Sequence, residues 1–121
     1  MLRNCIRTVV RNTTRAMSSI PLTLNSVVTE LNKLAPLSLA ESWDNIGLLV
    51  EPPSQPIVRH ILLTNDLTES VMKEAIASSV NLIYSYHPPI FASLKRITSS
   101  TWKERIVGHC LENKIAGISL F

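Results

Sequence analysis

Hydrophobic residues in the first half of the chain form one helical pattern and one short continuous run. Residues 22–34 place apolar side chains at the spacing of an amphipathic helix, with Thr23 as a possible N-terminal cap and Pro36 as the residue that stops it. Residues 43–45 are typical of a turn, and residues 46–50 form a short apolar run. These patterns predict a helix, a turn and then a short apolar segment.

From residue 57 onward, short apolar runs alternate with segments of helical spacing. Three of the runs predict buried strands, at residues 57–64, 82–84 and 115–120. In the helix after the first strand, Asp66 is the predicted cap and Glu69 its capping-box partner. In the helix after the second strand, Thr101 and Glu104 take these two roles, and Trp102 is predicted to line the inner face.

The order strand, helix, strand, helix, strand predicts an α/β fold, with a parallel-sheet core and flanking helices. Ligands of open parallel sheets bind outside the carboxyl ends of the strands. The sequence ends at the carboxyl end of its third predicted strand, and a sheet of three strands would leave both edges unpaired. We therefore expect residues 22–121 to be the amino-terminal portion of an α/β domain, which is incomplete in this chain.

The net charge of +3 comes from residues 1–20. Four arginines recur there at every fourth position, and no acidic residue precedes Glu30: Arg3, Arg7, Arg11 and Arg15. This composition predicts a mitochondrial transit peptide that is removed near residues 17–20; a disordered basic leader, with a cytoplasmic and nuclear protein, is the alternative. Basic and acidic residues nearly balance in the remainder, so charge does not indicate nucleic-acid binding, and no apolar run approaches the roughly 20 residues of a membrane-spanning helix.

Two polar residues follow predicted strands, at the edge where a parallel sheet binds ligands. His87 comes after the second strand, and neutral imidazole is a common metal ligand. Asp66 comes after the first strand and is either a helix cap, a carboxylate that lines the crevice, or both. His60 and His109 have no acidic or histidine partner at ligand spacing and are interpreted as surface or hydrogen-bonded histidines.

Other candidate chemistry is sparse. The three glycines form no phosphate-binding loop, and the sequence has no CxxC, HExxH or serine-elbow motif. Cys5 and Cys110 do not make a disulfide framework, and Cys110 is predicted to be a small buried residue. Trp43 is predicted to be a packing anchor, and Gly47 to permit a close approach of the backbone.

Four segments together carry a resemblance to a known family: ESWDNIGLLVE (41–51), LLTNDLTESVMKEAI (62–76), NLIYSYHPPIF (81–91) and LKRITSSTWKERIV (94–107). In this order they resemble the NGG-one-interacting-factor-three-like family, also called GTP cyclohydrolase type-two homologs. The SYHPPIF form is similar to that of the animal members. The resemblance covers most of residues 24–118 and implies an α/β fold.

The resemblance also implies a pair of divalent metal ions of the zinc, manganese or iron type. Bacterial members carry two adjacent histidines at the position of Tyr86 and His87, so that His87 matches the second ligand and Tyr86 replaces the first. The other family ligands lie after the strand that matches residues 115–119 and near the family's carboxyl terminus. They have no counterpart in this sequence, and metal binding by this chain is therefore expected to be weak or absent.

Two function classes follow from the resemblance. One is a metal-dependent hydrolase of the GTP cyclohydrolase type, and the other is a non-enzymatic protein that binds partners in transcription regulation. The replaced histidine and the missing ligands favour the second class for this chain. The family also implies a homo-oligomer, and nothing in the sequence indicates direct binding to nucleic acid or to a membrane.

Overall fold

The structure is a computed structural model that describes the backbone of residues 8–11 and all of residues 21–54 and 56–119. The described residues form five strands, three α-helices and one short 3-10 helix. In chain order these are β1 (Thr8–Arg11), α1 (Leu24–Leu34), the 3-10 helix (Leu37–Leu39), β2 (Gly47–Val50), β3 (His60–Thr64), α2 (Glu69–Ala77), β4 (Leu82–Ser85), α3 (Trp102–Glu112) and β5 (Ala116–Ser119).

One mixed sheet contains all five strands in the order β1-β3-β4-β5-β2. The three central strands are parallel, so the predicted α/β fold with a parallel core is confirmed. The prediction that both edges of the three-strand core are unpaired is wrong, because β2 pairs antiparallel with β5 and β1 pairs antiparallel with β3. β1 lies within residues 1–20, whose assignment as a leader stays a prediction, and the rest of that segment is outside the described residues.

The helices cover the two faces of the sheet. On one face, α1 buries Leu24 against Leu82 and Ile118. On the other face, α2 and α3 pack against Leu62 and Ile83. Leu82 and Ile83 are neighbours in β4 and both are fully buried, because successive side chains of a strand point to opposite faces and both faces are covered.

The N-terminal cap predicted for α2 is wrong. The helix is capped by Thr68, whose hydroxyl accepts a hydrogen bond from the Val71 amide at 3.3 Å. Asp66 lies two residues before the cap, and Glu69 is the first helical residue. Glu69 binds Arg105 of α3 instead, with 2.7 Å between Oε1 and Nε, and this hydrogen bond lowers the pKa of the Glu69 carboxyl. The ion pair ties the two helices together.

The cap predicted for α3 is confirmed, whereas the role predicted for Glu104 is wrong. Thr101 accepts a hydrogen bond from the Glu104 amide at 3.3 Å, but the Glu104 carboxylate accepts hydrogen bonds from the amide and hydroxyl of Thr98. The Thr98 hydroxyl lowers the pKa of Glu104, so the stability it contributes is present at neutral pH and is lost as the pH falls through that lowered value. Trp102 is exposed rather than on the inner face.

Other element boundaries differ from the prediction by a few residues. β3 begins at His60, because Ile57 instead forms an isolated antiparallel bridge with Thr23. The predicted α1 cap is confirmed, since the Thr23 hydroxyl accepts a hydrogen bond from the Ser26 amide at 3.2 Å. Within the described part of the chain, no helix is both long enough and apolar enough to cross a membrane.

Candidate functional site

The carboxyl ends of β3 and β4 bring the two candidate site residues together. Thr64 and Ser85 are paired at the last position of the parallel ladder. The pairing continues past the strands, because the Tyr86 amide donates to the Thr64 carbonyl and the His87 amide donates to the Asn65 carbonyl, each at 2.9 Å. The residues that follow the two strands therefore lie side by side.

Asp66 and His87 form a direct contact at this edge. The distance from Asp66 Oδ1 to His87 Nδ1 is 2.9 Å, and about two-thirds of each side chain is exposed. When Nδ1 carries the ring proton and donates it to Asp66, the lone pair of Nε2 is available on the opposite side of the ring. An exposed pair of this kind adds little to stability, so its effect is to orient the imidazole.

Tyr86 is the immediate neighbour of His87 in space as well as in sequence. The centroids of the two rings are 5.0 Å apart and the rings meet nearly edge to face, at 75°. The Tyr86 carbonyl accepts a hydrogen bond from the fully buried Ser119 hydroxyl at 3.1 Å, which ties the end of β4 to the end of β5. The backbone under His87 is thus held by both neighbouring strands.

A cavity of about 560 Å³ opens beside His87. Two loops supply its walls: Leu39, Ala40, Glu41, Trp43 and Asp44 from the first, and Tyr86, His87, Pro88 and Phe91 from the second. The loops are joined by a hydrogen bond from Asn45 Nδ2 to the Ile90 carbonyl, at 2.6 Å, and by a ring contact between Trp43 and Phe91, with 6.4 Å between centroids. The cavity is therefore formed where the two loops pack against each other.

The interpretation of Trp43 as a packing anchor is wrong in part. Its ring contacts Phe91, but the residue remains 69% exposed and lines the cavity. The contribution of Phe91 and Glu41 was also missed. The arrangement depends on Asn45, whose amide donates to a carbonyl 45 positions further along the chain. Local spacing in the sequence does not predict such a long-range hydrogen bond.

The side chains described here make only part of a metal site. In the described ranges, no group of three or more His, Cys, Asp or Glu residues is placed to hold a metal ion. His87 and Asp66 offer one imidazole and one carboxylate, whereas zinc sites take four ligands and catalytic ones take at least three from the protein. The described residues therefore fit a contribution to a metal centre and do not fit a complete one.

The remaining histidines and the described cysteine lie outside this site. His60 Nδ1 is 3.2 Å from the Ser79 carbonyl, as expected of a hydrogen-bonded histidine. His109 has an acidic neighbour that the sequence reading missed, since Glu112 lies one helical turn away with 3.7 Å between the two side chains. The prediction that Cys110 is buried is confirmed, and burial raises the pKa of its thiol to about 12, which makes the thiolate inaccessible at neutral pH.

Comparison with known proteins agrees with this fold. The chain is 59% identical over 93 residues to NIF3-like protein 1 of Drosophila melanogaster, an alignment that covers 77% of this chain and 32% of that protein. It is 37% identical over 90 residues to the GTP cyclohydrolase 1 type 2 homolog of Bacillus subtilis, which covers 74% of this chain and 24% of that protein. The chain thus spans less than a third of the length of either relative.

A solved structure supports the same conclusion. The crystal structure of a Bacillus cereus protein related to NIF3 superimposes with a TM-score of 0.76 at 32% identity, over 84% of this chain and 28% of that one. Residues 22–120 match the sequence profile of one family, described as Duf34/NIF3 (NGG1p interacting factor 3). The match covers most of the chain, and the chain therefore belongs to the Duf34/NIF3 family.

Proposed function

We propose that this chain contributes one imidazole, His87, to a divalent-metal site at the carboxyl edge of the sheet, and that Asp66 orients it. The observation that carries the proposal is the 2.9 Å contact between Asp66 Oδ1 and His87 Nδ1. A histidine that binds metal through one ring nitrogen usually donates its other N–H to a carboxylate or a carbonyl, which fixes the ring. The position of the pair, beyond two parallel strands, is where α/β sheets bind ligands.

The further ligands of such a site would come from outside the described residues. The relatives are more than three times as long as the aligned part, so a protein of their length has ample chain to supply them. The imidazole of His87 suits zinc and iron, whereas manganese would require carboxylate ligands from elsewhere in such a protein. Tyr86, in the place of the first family histidine, adds no second imidazole.

We expect weak binding of zinc or manganese by the 121-residue chain, because a single proposed ligand, His87, cannot enclose the ion. His87→Ala should abolish whatever saturable binding is present at this edge. Asp66→Asn should weaken it by roughly tenfold or more, as removing the group that orients a ligand typically does. Isothermal titration calorimetry measures all three proteins.

His109→Ala is the matched control for this titration, because it removes a half-exposed imidazole of α3 that is not among the residues lining the cavity beside His87. Its affinity should equal that of the parent chain. Tight, stoichiometric binding by the parent that survives His87→Ala would show that the metal lies elsewhere. Equal losses in the His87 and His109 variants would show only nonspecific binding to histidines.

A second candidate function, binding to protein partners, is favoured by a different observation. Two leucines at and just after the end of α1 are exposed to solvent, Leu34 at 83% and Leu37 at 44%. The two residues are three positions apart in the sequence, and clusters of exposed apolar side chains are typical of interaction sites. We propose that these leucines pack against a second copy of the chain, in line with the homo-oligomer implied by the family. Binding to partners in transcription regulation and a hydrolase activity of the GTP cyclohydrolase type remain proposals for a longer protein.

Light scattering should therefore find a species larger than a monomer. Leu34→Asp should shift it towards the monomer, because a charge cannot be buried in an apolar contact. Leu111→Asp, which places the same charge on a 39% exposed position of α3, should leave the assembly intact. A parent chain that is monomeric at high concentration would contradict the proposal.

A further inference from the structure

The cavity beside His87 is unusually rich in aromatic residues for this chain. Only six aromatic residues occur in the sequence, two each of Trp, Tyr and Phe. Three of the six line this cavity: Trp43, Tyr86 and Phe91. Each is more than half exposed, so these rings are not required to fill the core. Their concentration at one place makes the cavity suitable for a ligand that binds to aromatic surface.

Apart from the His87 imidazole, the ionisable groups of the lining are all acidic. Glu41 and Asp44 supply carboxylates, and no lysine or arginine is among the described lining residues. A cation near an aromatic ring is attracted by the ring's electron-rich face, and nearby carboxylates add to that attraction. An anionic group such as a phosphate would be repelled. The cavity is therefore complementary to a positively charged ligand.

The size and polarity of the cavity indicate which kind of positively charged ligand it fits. A volume of about 560 Å³ lies within the range of small-molecule sites and far exceeds what a bare metal ion occupies. Leu39, Ala40 and Pro88 add apolar surface between the rings. An alkylated ammonium suits such a lining better than a primary ammonium, because its methyl groups bury apolar surface and its charge is weakly hydrated.

The other tryptophan shows how this chain treats a similar ring without a cavity. Trp102 has its own cation, since Lys103 Nζ lies 5.1 Å from the ring centroid. No basic residue stands in that relation to Trp43 among the described lining residues. We propose that the cavity between Trp43, Tyr86 and Phe91 binds a small organic cation of the quaternary-ammonium class, with Glu41 and Asp44 balancing its charge.

Binding of choline and of its neutral isostere 3,3-dimethylbutan-1-ol to the 121-residue chain tests the proposal. The two molecules have nearly the same shape and differ in charge. Choline should bind saturably and shift the indole resonance of Trp43 in nuclear magnetic resonance spectra, with an affinity roughly three- to thirtyfold higher than that of the alcohol. Equal affinities would overturn the proposal, because the cavity would then be no more than an apolar depression.

Three variants localise the binding. Trp43→Leu keeps an apolar side chain but removes the ring, so the preference for choline over the alcohol should disappear. Glu41→Gln should weaken choline binding and leave the alcohol unaffected. Trp102→Leu is the matched control and should change neither. Choline binding that survives Trp43→Leu and is lost in Trp102→Leu would place the site on α3 and contradict the proposal.

The cavity shares His87 with the proposed metal site, but the two proposals are tested separately. The titrations are run with a chelator present, and choline binding is expected to persist because the cavity is built by the two loops and their Asn45–Ile90 hydrogen bond. If choline fails to bind while zinc responds to His87→Ala, the cavity assignment is wrong and the metal ligand stands. If choline binds but zinc binding does not respond to His87→Ala, the metal ligand is wrong and the cavity assignment stands.

Discussion

Leu62→Ala should lower the free energy of unfolding by about 2–5 kcal/mol, the range of buried leucine truncations. Leu62 lies in β3, is completely buried, and belongs to the cluster that α2 and α3 form on their face of the sheet. Its removal takes away the transfer energy of the side chain and leaves a cavity between rigid elements. Chemical denaturation followed by circular dichroism measures the change.

The neighbouring residue gives the matched control. Leu63→Ala makes the same chemical change one position along the same strand, where the side chain is 36% exposed. We expect a smaller loss, about 1–2 kcal/mol, because less buried area is removed and no closed cavity forms. If the two variants are equally destabilised, the assignment of faces in β3 is wrong by one residue.

Gly47→Ala should destabilise the protein by about 1–3 kcal/mol, the usual cost of holding a residue in a sparsely populated backbone conformation. Gly47 begins β2 with φ at +97°, a conformation that residues with a side chain rarely adopt. The added Cβ would meet Leu37 at 3.5 Å, which is an ordinary contact. The loss must therefore come from the backbone rather than from a clash.

Gly108→Ala makes the same substitution with the opposite expected sign. Gly108 lies inside α3, and a Cβ there would meet nothing within 4 Å. Alanine should stabilise the helix by about 1 kcal/mol relative to glycine, because it loses less backbone entropy on folding. Thermal melts of both variants measure the difference. A Gly47→Ala protein as stable as the parent would mean that the turn before β2 relaxes to an ordinary backbone conformation.

Local chemistry was enough to predict several elements. Thr23 and Thr101 cap α1 and α3 as predicted, because each immediately precedes a run of helical spacing. The start of α2 was not predictable in this way, since Asp66 and Thr68 are both suitable caps only two residues apart. Contacts with the segment after β4 separate the two candidates: the His87 amide donates to the Asn65 carbonyl, and Asp66 Oδ1 lies 2.9 Å from His87 Nδ1. The Thr68 hydroxyl accepts the hydrogen bond from the Val71 amide at the start of the helix.

The two edge strands escaped prediction for a related reason. The apolar run at residues 46–50 was recognised, but the antiparallel partner of the strand it forms, β5, is more than 60 residues away in the sequence. The site shows the same pattern. His87 and Asp66 were each identified from their positions after strands, whereas their contact depends on the parallel register of β3 and β4, and the cavity depends on Asn45 reaching Ile90.

Strand β1 and the predicted transit peptide make competing demands on the same residues. β1 pairs Thr8–Arg11 with His60–Leu63 of β3. Cleavage near residues 17–20 would remove that strand and leave the N–H and C=O groups along one side of β3 without their partner, an edge able to accept a strand from another chain. Conversely, if the chain folds before import, part of the predicted transit peptide is already paired within the sheet as β1. The order of folding and translocation would then determine both where the protein resides and which strand, β1 or β3, forms that edge of its sheet.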